Sequence, residues 1–71
     1  MHPLPGRYRH FKGGEYEVLG MATHSETQEL LVVYRPLGKE GAGWWVRPLA
    51  MFVENVVHEG RSVPRFASIP G

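Results

Sequence analysis

Nine glycines and six prolines break this chain at intervals of roughly ten residues. Between the breaks, no window of helical length carries an apolar stripe at i, i+3 and i+4. Frequent breakers and no helical period leave short strands joined by tight turns, so the sequence predicts an all-β domain.

The strands can be placed from their residues. Tyr8 to Phe11 form a short first strand, turned by Lys12-Gly13-Gly14, where glycine supplies positive φ cheaply. Glu15 to His24 form a longer second strand. Tyr16, Val18, Gly20 and Ala22 share one face, and Glu17, Leu19, Met21 and Thr23 share the other. Both faces hold apolar groups, so either part of this strand is covered on both sides or Gly20 marks a bend. After a polar loop at 24–28, Glu29 to Arg35 contains the run Leu-Leu-Val-Val-Tyr, which predicts a central strand with Leu30 to Val33 covered on both faces and least accessible of all. Pro36 ends it, and Leu37 to Gly43 form a glycine-rich loop. Trp44 to Arg47 make a fourth strand, and Pro48 to Phe52 a single helical turn with proline at its first position. Val53 to Glu59 make the fifth strand, Gly60-Arg61-Ser62 a turn, and Val63 to Phe66 a short edge segment. Five strands with one helical turn before the last long one resemble a closed SH3-like or Sm-like barrel, with the OB-fold as nearest rival.

Seventy-one residues make one domain, expected over 7–67 with a loose leader at 1–6 and a tail at 68–71. So short a chain buries a small core. There is no cysteine, which removes disulfides, thiolate metal sites and a cysteine nucleophile, and accords with a reducing cytoplasm. The remaining supports are aromatic packing and association with a second copy. A net charge of +1 gives no global pull toward nucleic acid or membrane. The longest apolar run is too short to span a bilayer, and the N-terminus lacks the pattern of a secretory signal; a cytoplasmic protein is expected.

Standard catalytic constellations are missing. The chain has no Asp, Ser25, Ser62 and Ser68 lack a nucleophile context, and no phosphate-binding glycine motif occurs. No catalytic residue, metal site or cofactor is expected. His24 and Glu26 could approach one another in a loop, but a single pair falls short of a zinc site, and both suit a turn that hydrogen-bonds its own backbone.

Two features point to binding instead. Trp44 and Trp45 are adjacent, and successive strand side chains alternate, so one of the two is expected at the surface or at a subunit contact. The basic residues gather at the ends. Arg7, Arg9 and Lys12 precede the first acid, Arg61 and Arg65 follow the last, and Glu15, Glu17, Glu26 and Glu29 lie between. If the first and last strands adjoin, these ends form one patch with an aromatic interleaved, the composition that grips single-stranded nucleic acid. Pairing of the same arginines to Glu54 or Glu59 would instead leave them as solvated surface.

Three segments carry a resemblance: Tyr8-Arg9-His10-Phe11-Lys12-Gly13; Ala22-Thr23-His24-Ser25-Glu26-Thr27 leading into Val32-Val33-Tyr34; and Trp45-Val46-Arg47-Pro48 with Met51-Phe52. Together, over about residues 7–67, they resemble the bacterial domain-of-unknown-function family numbered 1653. The resemblance implies a short barrel-like domain and brings no site residues with it. Gly43-Trp44 before the Trp-Val-Arg-Pro core departs mildly from the pattern.

The sequence thus predicts a small binding module without enzymatic activity. Its candidate residues are Arg7, Arg9, His10, Arg47, Arg65, Trp44 and Trp45, with RNA or single-stranded nucleic acid as ligand. A protein partner is the alternative, and a homo-oligomer is expected. A small-molecule or catalytic site around His10, His24, Glu26, Tyr34 and Arg47 is the competing class, recognisable by a compact cleft.

Overall fold

The computed structural model describes residues 2–70, so Met1 of the expected leader and Gly71 of the expected tail lie outside it. Seven short strands and one helical turn follow in order: β1 (Gly6–His10), β2 (Glu15–Thr23), β3 (Leu30–Pro36), β4 (Trp45–Pro48), α1 (Leu49–Phe52), β5 (Asn55–His58), β6 (Arg61–Pro64) and β7 (Phe66–Ser68). The protein is all-β. Five strands form an antiparallel sheet in the order β4-β3-β2-β1-β7, and β5 and β6 form a separate hairpin. β4 and β7 stand at opposite edges of the sheet, so backbone pairing does not close the expected barrel.

The segment after β5 differs from the expected turn and edge segment in where its turn falls. Glu59 and Gly60 both adopt positive φ, 52° and 75°, and His58 pairs with Arg61 across them. That is the two-residue loop whose twist matches a hairpin. The turn is therefore Glu59-Gly60, and Arg61 and Ser62 belong to β6 rather than to the turn. The chain then breaks at Arg65 and resumes as β7 against β1, with His10 opposite Phe66 and Tyr8 opposite Ser68.

The ambiguity in β2 resolves at a bulge. Val18 pairs with Tyr34, but Gly20 pairs with Val33, so Leu19 and Gly20 together oppose one residue. An extra residue reverses the alternation. Tyr16 and Val18 face the core before the bulge, and Met21 packs against it afterwards. Gly20 marks the bend, and no double covering of the strand is needed.

Alternation also divides the β3 run. Val32 and Tyr34 are buried, Leu31 and Val33 are half-buried, and Leu30 is 40% exposed. The strand lies inside the sheet, yet only alternate residues are covered, because one face packs on the core and the other meets water. The expectation that Leu30 to Val33 are uniformly the least accessible is thus corrected.

The core comprises Val18, Val32, Tyr34, Phe52 and Phe66, with Tyr8, Tyr16, Met21 and Leu49 packed around it. Phe52 enters from α1. Pro48, with φ −52° and ψ 137°, ends β4 and flanks the helical turn, and Val53 N–H closes it onto the Leu49 carbonyl at 3.1 Å. One turn of helix therefore suffices to drop a phenylalanine onto the sheet.

Candidate functional site

Strand register assigns every charged side chain of the sheet to one of two faces, since successive side chains point oppositely. The inner face, on which Phe52 sits, carries Tyr8 and His10 from β1, Tyr16 from β2, Tyr34 from β3, Phe66 from β7, and Trp45 and Arg47 from β4. The outer face carries Arg7, Arg9, Glu15, Glu17 and Arg35.

On the outer face every arginine is paired to an acid, three guanidinium groups sharing two carboxylates. Glu15 accepts from Arg7 and Arg9, each at 2.9 Å, and Glu17 pairs with Arg35 at 2.6 Å. The two guanidinium hydrogen bonds, Arg9 first, hold the Glu15 carboxyl below its ordinary pKa. These are exposed pairs, and the register of β1, β2 and β3 places each arginine beside an acid.

The inner face is different. Tyr34 is the hub of an aromatic cluster: its ring meets Tyr16 at 5.6 Å, Phe52 and Phe66 at 5.7 Å and Trp45 at 6.1 Å, all edge to face. Phe66 stacks flat on Phe52 at 4.2 Å. Such contacts each add about 0.5–1.5 kcal/mol beyond burial. Arg47 lies on this floor. Its guanidinium sits 5.5 Å from the Phe66 ring centre, and its Nε donates to the Tyr34 hydroxyl at 3.3 Å. No carboxylate among the described residues pairs with it. It is half-buried, so both contacts hold the guanidinium while leaving its terminal N–H groups unengaged by any acid.

His10 stands beside the same ring, 5.0 Å from Phe66, and also touches Phe11 and Tyr16. Its Nδ1 accepts the Lys12 backbone N–H at 3.1 Å, which makes Nε2 the donor of the neutral ring. Burial, and then the charges of Arg47, Arg65 and Lys12, lower its pKa below 6.5. Arg65, mostly buried, donates from Nη2 to Glu54 at 2.8 Å, while its Nε is buried without an acceptor. A buried donor left unpaired costs about 1–3 kcal/mol.

The structure therefore gathers four of the residues singled out in the sequence, His10, Trp45, Arg47 and Arg65, and separates three. Arg7 and Arg9 are on the opposite face and paired. Trp44 is 71% exposed, against 38% for Trp45, and alternates away from the aromatic floor. The two basic ends of the chain do meet, through β1 and β7, but alternation sends their side chains to different faces. Tyr16, placed by its sequence only on a strand face with Val18, and Tyr34, named in the competing site, complete the floor. The signal for them was available in the alternation of Tyr34 with Val32. His24 is elsewhere: its Nδ1 accepts the N–H groups of Glu26 and Thr27, at 3.1 and 3.3 Å, and so holds its own loop. Among the described residues, no three His or Glu side chains gather as metal ligands. Nor is any helix long and apolar enough to cross a membrane.

Residues 6–68 match the family model described as a protein of unknown function, DUF1653. The chain belongs to the DUF1653 family. A solved structure of a DUF1653 protein from Bordetella bronchiseptica is 40% identical, with a TM-score of 0.85 over 94% of this chain and 87% of that one. No curated protein matches. The family match begins and ends with the sheet, from the first residue of β1 to the last of β7.

Proposed function

We propose that this DUF1653 domain is a binding module, without enzymatic activity, that holds single-stranded nucleic acid on the inner face of its sheet. The observation that carries the reading is Arg47, a guanidinium fixed on an aromatic floor by Phe66 and Tyr34 and unpaired with any acid among the described residues. Trp45, half exposed beside it, offers a ring on which a base can stack. His10, beside Phe66 on β1, adds a ring donor, while Arg65 at the β6–β7 junction is held by Glu54. A phosphate takes the guanidinium fork, an adjacent base takes the indole, and neither contact reads sequence. Binding is therefore weak to moderate, tolerant of sequence, and sensitive to salt.

The test is fluorescence anisotropy of labelled single-stranded RNA and DNA at low ionic strength, repeated at increasing salt. Saturable binding that weakens with salt, and that Arg47→Gln and Trp45→Ala each weaken, is the expected result. No binding of RNA or DNA at low salt, where attraction between charges is strongest, overturns the reading.

A further inference from the structure

The two edges of the sheet are not equally protected. β7 is three residues long, and Pro70 follows shortly after it. β4 is longer, has β3 on one side only, and runs through exposed apolar residues: Trp44 precedes it and Val46 is 57% exposed. An edge strand presents unpaired N–H and C=O groups to any other strand, and proteins usually blunt it with lysine, a bulge, proline or an inward charge. Pro48 stands only at the end of β4, and its one charge, Arg47, is turned onto Phe66.

We propose that two copies of this chain associate through this edge, β4 against β4, antiparallel about a two-fold axis at Val46. The choice of a second copy rests on self-complementarity. A two-fold normal to the sheet keeps both inner faces on one side and must lie midway between a residue and its own symmetry mate. Centred on Val46, it sets Trp45 of one copy opposite Arg47 of the other on the inner face, and Trp44 opposite Pro48 on the outer face. Symmetry repeats each pair. The first is an indole against a cation, and the second an indole against an apolar ring. Centred on Arg47, the axis would oppose two like charges, which is destabilising. The two five-stranded sheets become continuous, and the two aromatic floors adjoin across the axis. The assembly rests on the strand edge, and it brings Trp45 and Arg47 of the proposed binding face to the two-fold.

A chain without cysteine makes the test clean. Opposed residues in an antiparallel pair have Cα atoms about 4.5–5.5 Å apart, within disulfide reach. Under mild oxidation Val46→Cys is expected to form a covalent dimer, whereas Val57→Cys, 78% exposed on the separate hairpin, stays monomeric. Sedimentation equilibrium of the unaltered chain at about 0.1 mM should show dimer, since specific self-association commonly lies at or below the micromolar range. Val46→Lys, which puts like charges at the axis, should raise the dissociation constant at least about tenfold while its circular dichroism is unchanged. A monomeric unaltered chain at that concentration overturns the proposal. So does a dimer in which Val57→Cys cross-links as readily as Val46→Cys.

Discussion

The two faces of one sheet treat arginine in opposite ways. On the outer face Arg7, Arg9 and Arg35 each meet a glutamate from the adjacent strand, Glu15 serving two of them. On the inner face Arg47 meets a tyrosine hydroxyl and a phenylalanine ring. An aromatic floor positions a cation without cancelling it, whereas a carboxylate does both. Which of the sheet's arginines stays unpaired is therefore decided by the face it occupies, and one residue of alternation separates the two fates.

Removing the floor itself should have the largest effect. Phe52 is fully buried and stacked on Phe66, so Phe52→Ala is expected to cost about 3–5 kcal/mol, read as a loss of urea midpoint. In so small a domain that removes most of the stability. The inner face would lose its shape and the outer ion pairs would not rescue it. An unchanged midpoint would show that the aromatic cluster does not organise the sheet.

Next comes the direct contrast of the two faces. Arg47→Ala should weaken single-strand binding by about tenfold or more, as expected for one charged hydrogen bond worth about 1.5–3 kcal/mol. Arg7→Ala combined with Arg9→Ala should change it by less than about twofold, because both guanidinium groups lie on the opposite face of the sheet and are held by Glu15. Equal losses in anisotropy titrations would erase the distinction. Arg47→Lys sharpens it: the charge stays, the planar fork goes, and an intermediate affinity is expected.

Protonation distinguishes the faces more gently. Both His10 and Glu15 have lowered pKa values, so the folded state holds fewer protons than the unfolded chain near each transition, and stability rises with pH there. The His10 contribution is complete above 6.5 and is lost as pH falls through its lowered value. The Glu15 contribution is complete above 4.5 and is lost only in stronger acid. Titration by nuclear magnetic resonance should place His10 below 6.5 in the free protein. An anionic ligand on the inner face should move it upward, since an added negative charge favours imidazolium. No movement on saturation would place the ligand away from His10.

The smallest effect is expected at the bulge. A methyl group added at Gly20 meets nothing within 4 Å, and its φ is not positive, so Gly20→Ala should change stability by less than about 0.5 kcal/mol. A large loss would mean that the bulge needs glycine for its backbone, and that the reversal of faces in β2 depends on it.

Much of the fold was legible along the chain. Breakers at short intervals and the β-branched run in β3 led to the all-β class, and the adjacent tryptophans announced that at least one indole is exposed. The turn between β5 and β6 falls at Glu59-Gly60 and not at the expected Gly60-Arg61-Ser62, because Glu59 takes a conformation that side-chain residues seldom adopt. The division of Leu30 to Val33 was missed because a continuous apolar run does not say which face is covered. The candidate site was legible only in part. Arg47, Trp45 and His10 could be named, but Arg7 and Arg9 looked equivalent to them until the strands were paired.

Local physics determined, from the sequence alone, that this chain would fold as short strands with an aromatic core: backbone preferences and turn chemistry act over a few residues, and those residues are adjacent. Only the tertiary structure decided which arginines are paired to acids. Arg7 reaches Glu15 across a turn, Arg35 reaches Glu17 across a strand pair, and Arg47 reaches Phe66 from the other end of the sheet. Those meetings depend on strand order and register, including the extra residue at the β2 bulge, and electrostatic pairing is settled by distance in space, which the order of residues does not contain.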